Sequence, residues 1–99
     1  MSDYLQHIAE HRRLAILQTL SGAPGYSANE QLLRELVDSY GLRATLDQVR
    51  GDLTWLSEQG AVKLTELGGL MIAELTERGA DLAAGRASQP GVRRPGPGA

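Results

Sequence analysis

Residues 45–76 run TLDQVRGDLTWLSEQGAVKLTELGGLMIAELT. Their apolar period changes once. Between Thr45 and Gly60, Leu46, Val49, Leu53 and Leu56 recur at the three- and four-residue intervals that put side chains on one face of a helix. Thr45-Leu46-Asp47-Gln48 has the form of a capping box, in which the first and fourth side chains each satisfy the other residue's backbone N–H. Beyond Gly60 the pattern alternates. Ala61–Leu67 and Leu70–Thr76 flank Gly68-Gly69, a two-residue loop in which both positions can take the positive φ that tight hairpins need. That loop sets Lys63 opposite Glu74, an ion pair, and Val62 opposite Leu75, an apolar pair.

Toward the N-terminus, Asp3-Tyr4-Leu5-Gln6 reads as a capping box for a first helix reaching about Leu20, with Leu5, Ile8, Ala9, Ile16, Leu17 and Leu20 at helical spacing. Ser21 to Gly25 breaks that pattern with a proline and two glycines. Ser27-Ala28-Asn29-Glu30 reads as the cap of a second helix, whose buried stripe is Leu32, Leu33, Leu36, Val37 and Tyr40 and whose stop is Gly41. After the hairpin, Thr76 to Ala84 predicts a short helix stopping at Gly85. Helix, helix, short turn, helix, hairpin, short helix is the order of a winged helix-turn-helix. The predicted class is mainly α with a small β-hairpin: a three-helix core, a two-stranded wing and a short C-terminal helix over residues 1–84.

Composition bounds what such a chain can do. Ninety-nine residues allow one small domain, and the absence of cysteine removes disulfides, thiolate metal sites and thiol nucleophiles. No apolar run reaches the ~20 residues of a membrane span, and no basic-then-apolar leader is present, so a cytoplasmic protein without a membrane partner is expected. The net charge of −2 conceals a split. Residues 1–84 carry seven basic residues against all twelve carboxylates, a net −5, while residues 85–99 carry Arg86, Arg93 and Arg94 with no acid, a net +3. Seven of those last fifteen residues are Gly or Pro and Val92 is the sole sizeable apolar one, so residues 85–99 are predicted to be a disordered basic tail.

Three stretches carry a family resemblance. Val49-x-x-x-Leu53-x-Trp55-Leu56-x-x-x-Gly60-x-Val62 resembles the signature of ArsR-type winged-helix regulators, as do Arg13-Leu14-Ala15-Ile16-Leu17-x-x-Leu20 and Leu75-Thr76-x-x-Gly79. Nearly end to end, the chain is similar to small winged-helix proteins of Mu-like phages labelled ArsR-type transcriptional regulators. Tyr4-Leu5-Gln6-His7, Asp47-Gln48-Val49-Arg50 and Gly91-Val92-Arg93-Arg94-Pro95 carry that likeness. The resemblance implies a DNA-binding regulator, acting as a homodimer on two half-sites.

The third helix would then enter the major groove, where Gln can read adenine and Arg can read guanine or hold phosphate. The candidate DNA contacts are Arg43, Thr45, Asp47, Gln48, Arg50 and Thr54, with Arg86, Arg93 and Arg94 as auxiliary phosphate contacts. Gly51 would let the backbone approach a partner closely. The plainer reading is a solvated face, since Asp47, Asp52 and Glu58 dilute its positive charge. A dimer would use the first helix, where Tyr4, Leu14 and Gln18 flank the core stripe.

The wing tip bears Leu67, Leu70 and Met71 beside Glu66, a poor phosphate contact and a better protein contact unless those apolar residues fold onto the last helix. A protein-interaction adaptor, or an accessory of DNA packaging and assembly, therefore stands beside the regulator. His7-x-x-Glu10-His11 matches a zinc-peptidase pattern, but no third ligand or substrate cleft accompanies it, and two solvent-facing histidines are expected. Trp55, the lone tryptophan, is expected in the core. No nucleophile triad, phosphate loop or paired-carboxylate spacing appears, so neither an enzyme nor a cofactor is expected.

Overall fold

The structure is a computed structural model, which describes residues 2–96. Helix α1 spans Ser2–Gly22 and leads through a 3-10 turn, Pro24–Tyr26, into a short strand β1, Ser27–Asn29. Helices α2 (Glu30–Ser39) and α3 (Leu46–Glu58) follow, then strands β2 (Val62–Leu67) and β3 (Leu70–Leu75), then α4 (Glu77–Ala84). The protein is thus mainly helical with one small antiparallel sheet, in the strand order β1-β3-β2.

Local chemistry sets most element boundaries. Thr45 and Gln48 form the reciprocal cap of α3: the Thr45 N–H donates to Gln48 Oε1 at 2.9 Å, and the Gln48 N–H donates to Thr45 Oγ1 at 3.1 Å. Gly68 and Gly69 turn the hairpin with φ of 60° and 79°, and its register pairs Lys63 with Glu74 and Val62 with Leu75, as the loop length predicts. Thr76 caps α4 through its hydroxyl, which accepts from the Gly79 N–H at 3.1 Å.

Helix α2 starts later than the Ser27 capping box predicts. Its cap is Asn29, whose Oδ1 accepts from the Leu32 N–H at 2.8 Å. Ser27, Ala28 and Asn29 instead pair with Glu74, Ala73 and Ile72, adding a third strand to the hairpin. Asp3 likewise lies inside α1 rather than capping it.

The core is aliphatic. Ile16, Leu17 and Leu20 from α1 meet Leu33 and Val37 from α2, and Val49, Leu53 and Leu56 from α3, with Val62, Ala73 and Leu82 closing one end. Each fully buried aliphatic side chain contributes about 1.5–3 kcal/mol. Several predicted core positions lie outside: Leu5 on α1, Leu32 on α2 and Tyr40 at the C-cap of α2 are exposed, because each helix buries a narrower stripe than its apolar residues outline. Helix α4 sits so close to the sheet that a Cβ on Gly79 would overlap the Ala61 carbonyl oxygen and lie 2.6 Å from Leu75 Cδ1.

The disordered tail predicted from composition is corrected over residues 85–96; residues 97–99 lie outside the described ones. The segment folds back on itself and onto the body. Arg94 Nη2 donates to the Gly85 carbonyl at 3.1 Å, Pro95 lies against Gly85, the Arg93 N–H donates to the Glu10 carbonyl at 3.3 Å, and Val92 is buried. Compact loops of this kind are ordered by turns and a few anchors rather than by apolar mass, which composition alone underestimates.

Candidate functional site

The α3 face proposed for contact is built between two flanking elements. Val49, Asp52, Leu53 and Leu56 point into the molecule, leaving Asp47, Gly51, Thr54 and Glu58 as the exposed ridge. The hairpin borders one flank through Arg50, and the loop after α4 borders the other through Trp55.

Arg50, the sole base of α3, does not stand free. Its Nε and Nη2 both donate to the carboxylate of Glu30 at the start of α2, the latter at 2.9 Å, and Nη2 also donates to the Gly69 carbonyl at 3.1 Å. Glu30 is fully buried, and its Oε2 also accepts from the Met71 N–H at 2.7 Å. Arg50's hydrogen bonds hold the Glu30 carboxyl below the usual carboxylate range, outweighing the burial that would raise it, and the Met71 N–H acts in the same direction. One carboxylate therefore joins α2, α3 and the hairpin. Arg50 thus clamps these elements together, while 40% of its side chain remains exposed beside the α3 ridge.

The other predicted contacts divide. Thr45 and Gln48 face solvent but hold each other in the cap, while Asp47 and Thr54 are exposed. Arg43, with its side chain 93% exposed, approaches Asp38 at 3.8 Å. Arg86 pairs with Asp81 at 2.9 Å and Arg94 holds Gly85, whereas the Arg93 side chain is exposed. These residues do not form one basic surface; the ridge of α3 carries two carboxylates.

The hairpin tip is also not a uniform apolar patch. Leu67 is 72% exposed, but Leu70 is half-buried and Met71 packs against the core. On α1, Tyr4 is exposed, Leu14 is buried within the chain and Gln18 Nε2 donates to the Ala83 carbonyl at 3.4 Å. His7 and His11 face solvent one turn apart. Among the described residues, no three His, Cys, Asp or Glu side chains are grouped to hold a metal ion, and no helix is long and apolar enough to cross a membrane.

Sequence reasoning missed a second buried carboxylate. Asp52, counted among the solvated acids of α3, is buried, accepting from Arg12 Nε at Oδ2 and from Arg13 Nε at Oδ1, the latter at 3.1 Å. Arg13 also lies 4.4 Å above the centre of the Trp55 ring. The helical spacing carries the signal, since Asp52 lies three residues after Val49 and four before Leu56, at the edge of the buried stripe.

The chain is 44% identical over 90 residues to the protein called "Uncharacterized protein gp26" of Escherichia phage Mu, covering 91% of this chain and 93% of that one. The chain belongs to the family of Mu gp26. An uncharacterized protein of Haemophilus influenzae is also similar, 42% identical over 77 residues, which is 77% of this chain and 74% of its own length. The gp26 match establishes the phage relationship that the sequence resemblance implies. No protein-family profile matches the chain, and no solved structure does.

Proposed function

We propose that the chain is a winged-helix protein of phage type that binds another protein through the α3 ridge and hairpin tip. The order of its helices, with a hairpin joined by a third short strand, supports the winged-helix reading. One observation carries the choice of partner. The sole base of α3 is held by buried Glu30, leaving a ridge of Asp47, Gly51, Thr54 and Glu58 beside exposed Leu67. Duplex affinity is built largely on phosphate neutralisation, and such a ridge repels phosphate. An acidic and polar rim beside an exposed leucine suits a protein surface carrying Lys or Arg.

A photo-crosslinker placed at Thr54 tests the reading in cells expressing the genome that carries this gene. It should give a discrete protein adduct that Asp47→Lys/Glu58→Lys abolishes. An adduct to DNA, strengthened by the same charge reversal, would overturn it. A second reading, a DNA-binding transcriptional regulator, is favoured by Arg43, which stands almost fully exposed beside the α3 cap.

A further inference from the structure

The loop after α4 docks on α1 and α3. Gln89-Pro90-Gly91-Val92 form a β-turn: the Val92 N–H donates to the Gln89 carbonyl at 3.0 Å, and Gly91 takes a φ of 101°. Proline followed by a positive-φ glycine is the sequence preference of a type II turn. The glycine packs closely against the indole of Trp55. A Cβ there would come within 2.7 Å of the ring atoms Cζ2 and Cη2, and 3.3 Å from Arg13 Nη1.

Arg13 closes the other side of this seat. Its guanidinium stacks on Trp55, its Nε holds Asp52, and its Nη1 donates to the Gly91 carbonyl at 2.9 Å. One residue on, Val92 is buried, and the Arg93 N–H reaches the Glu10 carbonyl. Four separate recognition features thus converge on three residues: an aromatic platform that excludes any Cβ, a charge-assisted donor for one carbonyl, a place for a small aliphatic side chain, and a backbone acceptor. Except at the glycine and the aliphatic residue, these contacts take backbone groups, so they specify a turn shape rather than a charge.

We infer that Arg13, Trp55 and the Glu10 carbonyl form a binding site for a Pro-Gly β-turn followed by a small aliphatic residue, closed here by the chain's own tail. Because the ligand is tethered, its effective concentration is in the millimolar range, and a free turn of the same sequence competes poorly with it. Lifting the tail uncovers a Trp–Arg pair, side chains enriched in the centres of protein interfaces.

Trp55 is the only tryptophan, so its emission reports occupancy directly. In the full chain, Gly91→Val should leave far-ultraviolet circular dichroism unchanged, shift Trp55 emission to the red and increase acrylamide quenching severalfold. A synthetic peptide of residues 86–96 should reverse both changes in that variant. The same peptide carrying Gly91→Val should not, and the wild-type chain should not respond. Val92→Ser, which adds no steric clash, should give a smaller shift in the same direction and serves if Gly91→Val fails to fold. Unchanged Trp55 emission in both variants would overturn the inference. So would a folded variant with exposed Trp55 that the wild-type peptide, even at millimolar concentration, cannot protect.

Discussion

Arg50 on α3 and Glu30 at the start of α2 form a two-bonded ion pair around a fully buried carboxylate, and the same guanidinium reaches the hairpin turn at Gly69. Breaking such a pair from one side leaves the other charge uncompensated, whereas replacing both partners by apolar groups can be nearly neutral. Arg50→Leu is therefore expected to lower the unfolding midpoint clearly, and Glu30→Leu/Arg50→Leu to recover part of that loss. The Met71 N–H stays unpaired in the double variant, at a cost of about 1–3 kcal/mol, so recovery is incomplete. Urea titrations of the three proteins check this; Arg43→Leu should be nearly silent.

The same carboxylate predicts an acid limb. Glu30 has its pKa lowered in the folded state, so the stability it contributes is fully present above the unfolded value of about 4.5 and is lost as pH falls through the lower folded value. Melting temperatures measured downward from about pH 5 should fall for the wild type, and fall less steeply for Glu30→Gln.

Two glycines in helices should respond oppositely to alanine. At Gly51 a Cβ meets nothing within 4 Å, so Gly51→Ala should stabilise by about 0.5–1 kcal/mol through helix propensity. At Gly79 the Cβ would overlap the Ala61 carbonyl and crowd Leu75, so Gly79→Ala should cost about 1–3 kcal/mol despite the same propensity gain. Chemical denaturation separates the two by sign.

At the hairpin tip, neighbouring apolar residues have different roles. Leu67→Ser should change stability by no more than about 0.5 kcal/mol while weakening partner binding. Met71→Ser should lower the melting temperature, because Met71 packs against the core. Thermal melts beside the Thr54 crosslinking yield distinguish the two effects.

What was legible in the sequence is the chemistry that acts over a few residues. The Thr45–Gln48 cap, the Gly68-Gly69 turn with its register and the Thr76 cap all follow from adjacent residue types. What was not legible depends on partners far along the chain. Ser27–Asn29 becomes a strand because β3 offers it an edge. Asp52 is buried because Arg12 and Arg13 arrive from α1, and Arg50 is paired because the buried Glu30 carboxylate of α2 lies within its reach. Residues 85–96 misled through average composition, although Pro90-Gly91-Val92 already spelled a turn with an apolar anchor. The α3 face is therefore legible in the sequence, but the pairing of its central arginine with Glu30 is not.

A protein-binding α3 ridge excludes duplex DNA from the same surface. The most direct test is titration of the full chain with mixed-sequence duplex by fluorescence anisotropy, from low salt upward. No saturable binding is expected even at the lowest salt. Binding that weakens linearly in log K against log salt, and that Arg43→Ala further reduces, would contradict it.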